Sequence, residues 1–98
     1  MFIAIWRYTV PVGQEERFQR VYAPDGQWAQ LFGQAEGYLG TELLADATAP
    51  LQYITIDRWQ NAADFQRFKS QFAEDYQQLD TACAVLKEHE EFIGQFTL

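Results

Sequence analysis

The order of strand-like and helix-like segments is the sequence feature that most constrains the fold. Apolar and polar residues alternate in the first segment, where Phe2, Ala4, Trp6, Tyr8 and Val10 fall on one face of an extended chain. Further strand-like segments follow, and four strands are predicted at 2–10, 38–45, 51–60 and 92–98. Apolar residues at helical spacing lie between the first two strands and again between the last two.

These two helical regions complete a recognisable arrangement. The first begins near Glu15 and is interrupted at 23–26, so it forms one broken helix or two. The second opens at Asn61, where Asp64 three residues later resembles a capping box, and ends in the charged segment 87–91. A short connection makes the second and third strands an antiparallel hairpin. The sequence therefore predicts an α+β, ferredoxin-like βαββαβ fold, a four-stranded antiparallel sheet with helices on one face.

The size of the chain and its apolar content predict the domain organisation. A chain of 98 residues corresponds to a single domain, over residues 1–98. Its 48% hydrophobic and 16% aromatic residues are sufficient for a core. All four strands carry apolar groups on both faces, whereas the helices cover only one. A homodimer that forms a dimeric α/β barrel is the simplest way to bury the other face.

Charge, hydropathy and cysteine content narrow the partners and the location. A net charge of -7 repels a phosphate backbone, so no nucleic acid partner is expected. No segment approaches the roughly 18 to 20 apolar residues that cross a bilayer, and the N-terminus lacks a signal-peptide pattern, so no membrane partner is expected either. The lone Cys83 cannot form a disulfide within the chain, which favours a reducing compartment, by default the cytoplasm.

Several reactive residue types occur only once, as Ser70, Cys83 and His89. A zinc site takes about four ligands and a Ser-His-Asp triad needs three residues in contact, so neither a metal site nor a serine hydrolase is expected. His89 lies among acids near the predicted end of the last helix and should be solvated. Cys83 lies on an apolar helical stripe and should pack in the core.

Three parts of the sequence carry a resemblance to a known family. They are the strand and turn at 5–13, the strand entry at 36–40, and the segment 54–59 running into the helix start at 61–65. Together these segments resemble the antibiotic biosynthesis monooxygenase domain family, whose members are small dimeric α/β barrels. The resemblance implies oxygen chemistry without a metal, flavin or other cofactor. An electron-rich planar phenol or hydroquinone would react with dioxygen itself, while the protein binds, deprotonates and shields it.

The sequence also departs from relatives in this superfamily. A heme-degrading sister group uses an Asn, a Trp and a His, and the matching positions here are Trp6, Trp59 and Phe68. Phenylalanine cannot replace an iron ligand, so heme binding or degradation is less expected. Quinone-forming relatives carry an Asn where this chain has Thr55. The alternative to an oxygenase is therefore a noncatalytic module that keeps the dimeric scaffold and binds a small aromatic ligand.

The third strand supplies the two candidate catalytic residues, Asp57 and Trp59, which share one face by parity. Aromatic surroundings would raise the pKa of Asp57 towards that of a useful general base, unless it pairs with a neighbouring Arg. Trp59 could stack on a flat substrate or anchor the core. The predicted substrate-binding residues, which could equally fill the core, are Trp6, Tyr8, Tyr53, Thr55, Phe65 and Phe68. Arg7 and Arg58 share the opposite face and should meet acids such as Glu42.

Overall fold

The computed structural model describes every residue from Met1 to Leu98. Its elements in chain order are β1 (Phe2–Thr9), α1 (Glu15–Tyr22), α2 (Gln27–Phe32), β2 (Tyr38–Ala45), β3 (Gln52–Trp59), α3 (Ala62–Gln71), α4 (Ala73–Ala82), a 3₁₀ turn (Ala84–Leu86) and β4 (His89–Thr97). The strands form one sheet in the order β2-β3-β1-β4, with every neighbouring pair antiparallel. The predicted ferredoxin-like α+β fold is confirmed.

Local sequence signals explain where the helices begin and end. The acids Glu15 and Glu16 occupy the first turn of α1, where the helix dipole favours negative charge. The N-cap of α3 is Asn61, whose side-chain oxygen accepts a hydrogen bond from the Asp64 amide at 2.8 Å, as the sequence predicted. Gly37 precedes β2 with a φ of +91°, and a Cβ there would lie 2.2 Å from the Asp64 carboxylate, so this turn requires glycine.

The start of β4 differs from the sequence prediction. The strand begins at His89, three residues before Phe92, and α4 ends at Ala82, well before the charged segment 87–91. Because β1 continues to Thr9, it provides pairing partners for the charged residues at 89–91. The Glu88 amide also donates to the Thr9 carbonyl at 2.8 Å. Charged side chains are typical of an edge strand, and the prediction that they end a helix was wrong.

Strand β4 also contains a bulge. Opposite consecutive residues Ile5 and Trp6 of β1 lie Gly94 and Phe92, so Ile93 is the extra residue. The ring of Phe92 packs against Trp6 with centroids 4.7 Å apart. At the other end of the pair, the Leu98 amide donates to the Met1 carbonyl at 2.9 Å, so β1 and β4 adjoin along their full length.

The core lies between the sheet and the helices. It is mostly aromatic, with Trp59, Phe18 and Phe68 as its largest fully buried side chains. Cys83 is buried in this cluster, as predicted. Trp59 ends β3 and packs against Phe32 and Phe68, so the end of the sheet is joined to α2 and α3 by ring contacts.

The opposite face of the sheet carries no helix. Arg58 pairs with Glu42 there, as predicted, and Arg7 pairs with Asp46 at 2.6 Å. Large apolar side chains remain exposed on the strands, and of these Leu44 and Phe96 fall on this face by parity. The homodimer predicted to cover this face stays a prediction. None of the helices is both long enough and apolar enough to span a membrane.

Candidate functional site

A cavity lies between the helix-covered face of the sheet and the helices. Its empty volume is about 400 Å³ including the open mouth. The aromatic residues that line it are Trp6, Tyr8, Tyr22, Trp28, Phe32 and Tyr76. The polar ones are Thr41, Thr55, Asp57, Asp80 and Glu90.

Asp57 is the acid on the cavity wall whose pKa is raised by its surroundings. Its position on β3 faces Ala4 of β1 and Thr41 of β2, and only 8% of the residue is exposed. Burial raises the pKa of Asp57 to about 6, against a smaller lowering by the hydrogen bond from Thr41. No arginine pairs with it. The predicted raised pKa is therefore present, and the alternative of an ion pair is not.

A short hydrogen-bond chain connects Asp57 to the protein exterior. The Thr41 hydroxyl donates to the Asp57 carboxylate at 2.7 Å, which uses its only hydrogen. The Tyr38 hydroxyl, 2.5 Å from Thr41 Oγ1, must then donate to Thr41. Tyr38 is half-buried, and burial raises its pKa. The chain Tyr38 to Thr41 to Asp57 can pass a proton outwards once Asp57 is protonated.

Unpartnered polar atoms concentrate around the same cavity. Four buried side-chain atoms have no hydrogen-bond partner, and three of them belong to lining residues: Tyr22 Oη, Trp28 Nε1 and Thr55 Oγ1. The Tyr22 hydroxyl lies near Trp28 and Cys83 but makes no hydrogen bond of normal geometry with either. Leaving a buried polar atom unpaired costs about 1–3 kcal/mol.

The mouth of the cavity is charged. Lys87 Nζ, on the segment between α4 and β4, lies 2.8 Å from Asp80 and 2.7 Å from Glu90. It also lies 5.9 Å from the ring centre of Tyr8. Burial alone would lower the pKa of Lys87, but its hydrogen bonds to the two carboxylates outweigh burial and raise it. The ammonium therefore stays charged between its two acids.

Four of the predicted site residues line this cavity. They are Trp6, Tyr8, Thr55 and Asp57, which come from two neighbouring strands. The four others lie away from the cavity wall: Tyr53, Trp59 and Phe68 are buried in the core, and Phe65 is partly buried against it. Tyr53 accepts a hydrogen bond from Gln19 Nε2 at 2.8 Å. The role of these residues in ligand binding stays a prediction.

Trp59 has a different kind of connection to the site. It is fully buried, and its indole Nε1 has no hydrogen-bond partner. Its ring packs against Tyr38 with centroids 5.3 Å apart, and Tyr38 begins the hydrogen-bond chain to Asp57. Trp59 thus contacts the hydrogen-bond chain, here called the relay, and not the cavity.

The two residues considered for heme binding lie apart. Phe68, which occupies the position of the heme ligand in the sister group, is buried against Trp59, whereas His89 is exposed at the start of β4.

Sequence reasoning missed the lining residues contributed by the helices and the edge strands. Trp28 and Tyr22 fell on the apolar stripes predicted for the first helical region, which marks them as buried but not as cavity residues. Thr41 lies directly opposite Asp57. That pairing could be found only from the hairpin register, which depends on the length of the loop between Ala45 and Gln52.

Comparisons with known proteins give the family. A model of the antibiotic biosynthesis monooxygenase family matches residues 1–79. The chain belongs to this family. Among solved structures, SnoaB from Streptomyces nogalater, a cofactor-independent oxygenase, is 25% identical with a TM-score of 0.79, over 99% of this chain and 91% of that one. No curated protein matches the chain in sequence.

More distant members of the fold share the architecture alone. PA3566 from Pseudomonas aeruginosa is 17% identical with a TM-score of 0.69, over 99% of this chain and 92% of that one. A variant of MhuD with two manganese protoporphyrin IX molecules per active site is 18% identical with a TM-score of 0.71, over 100% and 94%. At sequence identities this low, the similarity of these two structures to the chain shows a shared fold and not a shared activity.

Proposed function

We propose that the protein is a cofactor-independent monooxygenase that oxidises a planar phenol or hydroquinone in the aromatic cavity. The observation that supports this most is Asp57, a buried carboxylate without a cationic partner on the wall of an aromatic cavity. Membership of the monooxygenase family and the similarity to a cofactor-independent oxygenase support the same role.

Asp57 is suited to removing the phenolic proton. With a pKa of about 6 it is ionised in roughly ten molecules out of eleven at pH 7. Proton transfer from a phenol of pKa ~10 to Asp57 then spans a pKa difference of roughly 4, which costs ~5 kcal/mol. Transfer to an ordinary aspartate would cost ~8 kcal/mol. Burial thus makes Asp57 a better base by about 3 kcal/mol. The proton can leave through Thr41 and Tyr38.

The remaining steps take place on the substrate and dioxygen. The phenolate transfers one electron to dioxygen, and the resulting radical pair forms a carbon–oxygen bond at the ring. Loss of water from this peroxide converts a ring C–H into C=O, so one oxygen atom enters the product and the other becomes water. The substrate supplies all the electrons. The aromatic walls keep bulk water away from these steps.

Trp59 takes a positioning role in this proposal. Its ring supports Tyr38, which donates to Thr41 and so orients the hydroxyl that holds Asp57. We also infer that the working unit is a homodimer, because apolar side chains such as Ile93 and Phe96 remain exposed on the strands. The competing function is a noncatalytic module that binds a small aromatic molecule.

The test uses 1,5-dihydroxynaphthalene as substrate, with oxygen consumption measured at an electrode and the quinone product by absorbance. We expect oxygen uptake that rises with pH through about 6 as Asp57 ionises. In oxygen-18 gas, one labelled atom should appear in the quinone and one in water. The Asp57→Asn variant should lose about 100-fold or more in kcat. Asp46→Asn, which changes an acid on the opposite face, is the matched control.

The outcomes separate the two functions. If this substrate binds but neither wild type nor variant consumes oxygen above the uncatalysed rate, the protein is a binding module. If Asp57→Asn retains full activity, the base has been assigned wrongly. A titration with hemin tests the heme-degrading activity of the sister group. Because Phe68 stands where that group has its iron ligand, we expect no sharp stoichiometric change in the Soret band.

A further inference from the structure

The charge balance of the cavity restricts which ligands it can accept. Three carboxylates line it, those of Asp57, Asp80 and Glu90, and no lysine, arginine or histidine does. Lys87 is the nearest cation, and it is shared between Asp80 and Glu90. With Asp57 ionised, this group of four side chains carries a net charge of −2. The whole chain adds to the same sign, with a net charge of -7.

Solvent screens these charges to different degrees. Asp57 is 8% exposed and the Lys87 side chain 10%, whereas the Asp80 and Glu90 side chains at the mouth are 48% and 34% exposed. Next to the buried Asp57 an additional anion is repelled more strongly than it would be at a hydrated surface, and the partly exposed Asp80 and Glu90 add a screened repulsion of the same sign. The neutral polar groups of the lining residues, Tyr22 Oη, Thr55 Oγ1 and Trp28 Nε1, supply no positive charge to offset this repulsion.

We propose that the cavity selects phenols that are neutral or positively charged and rejects those that carry a carboxylate. The phenol class rests on the proposed function, whereas the charge preference rests on the lining residues alone. Lys87 sets the strength of the preference, because it neutralises one of the two carboxylates at the mouth.

Binding measurements with three matched probes test the preference. The probes are 2-naphthol, 6-hydroxy-2-naphthoic acid and the corresponding hydroxynaphthalene with an aminomethyl group, titrated calorimetrically at pH 7.5 and low salt. We expect the carboxylated probe to bind at least about tenfold more weakly than 2-naphthol, and the cationic probe to bind as tightly or more tightly. High salt should narrow the difference in part, because it screens the partly exposed Asp80 and Glu90 but has little effect on the buried Asp57.

Two variants should move the preference in opposite directions. Glu90→Gln removes a negative charge and should strengthen binding of the carboxylated probe by about tenfold relative to 2-naphthol. Lys87→Gln leaves both Asp80 and Glu90 without a cation, and it should weaken binding of the carboxylated probe relative to 2-naphthol by a similar factor. Glu74→Gln is the control, because Glu74 is exposed on α4 outside the cavity and changes the net charge equally. Far-UV circular dichroism confirms that each variant is folded.

Each outcome bears on the inference separately from the oxygenase activity. Equal affinity for the neutral and the carboxylated probe would overturn it, as would a ratio that Glu74→Gln changes as much as Glu90→Gln. Failure of all three probes to bind would overturn both this inference and the use of the cavity for aromatic substrates. Charge-selective binding without oxygen uptake would refute the oxygenase and leave the selectivity in place.

Discussion

Replacing Asp57 by asparagine should make the protein more stable at neutral pH, although it removes the proposed base. The carboxylate is buried, and its pKa is raised from the ordinary 3.8 to about 6. Between these two pH values the folded state binds more protons than the unfolded state, so stability falls as the pH rises through this window. Above pH 6 the full cost of the buried charge remains.

The magnitude follows from the size of the shift. A change from 3.8 to about 6 corresponds to about 3 kcal/mol of unfolding free energy at pH 7. Asparagine keeps an oxygen that can accept the Thr41 hydrogen bond but carries no charge. Asp57→Asn should therefore gain up to about 3 kcal/mol at pH 7 and almost nothing at pH 4. For a urea m-value of about 1–3 kcal/mol/M, the unfolding midpoint rises by about 1–3 M.

Urea unfolding followed by circular dichroism, at one fixed chain concentration and at pH 4 and 7, measures the difference. Asp46→Asn is the matched control, because the hydrogen bonds from Thr48 and Arg7 hold the pKa of Asp46 down at about 2. That depressed pKa stabilises the folded state above the ordinary value of 3.8 and is lost as the pH falls through about 2. The control should therefore lose stability at pH 7. If Asp57→Asn is neutral or destabilising at pH 7, the buried charge carries no cost and the case for the base fails.

Three further predictions concern the relay, the core and the assembly. Thr41→Val removes the hydrogen bond that lowers the pKa of Asp57, so the rising limb of the rate against pH should move above 6; an unchanged profile would contradict the relay. Trp59→Ala should cost about 3–5 kcal/mol in urea unfolding, whereas Trp59→Phe should cost less because the indole Nε1 has no partner to lose. Equal losses would show that the indole is needed as such, and unchanged binding and oxygen uptake in both folded variants would make Trp59 purely structural. We expect a homodimer whose interface buries about 1,200–2,000 Å² or more. Light scattering measures its mass, and a particle of 11.4 kDa at micromolar concentration would refute the dimer.

The strand pattern made most of the fold and part of the site predictable. Alternation placed Trp6, Tyr8 and Asp57 on the helix-covered face, and all three line the cavity. The same parity also selected Trp59, which lies in the core. Parity specifies a side of the sheet, but it does not specify the position along the strand at which the helices leave a gap.

The errors and omissions have a common physical origin in tertiary contacts. Tyr22 and Trp28 reach the cavity because α1 and α2 pack on the sheet at particular positions, which helical periodicity alone does not determine. The start of β4 was misplaced because charged residues at 89–91 favour a helix end when read locally. Pairing with β1 over a long sequence separation decided otherwise.

The pairing of β1 with both β3 and β4 has a consequence for synthesis on the ribosome. Segment Phe2–Thr9 emerges before the strands that it pairs with, and one of its edges has no partner until His89–Thr97 has been added. At about 5–20 residues per second, that edge stays open for roughly 4 to 16 seconds. During this interval the nascent chain displays an apolar strand ready to pair with a neighbouring copy. Slower translation of the second half should therefore lower the yield of folded protein, and early chaperone binding should restore it.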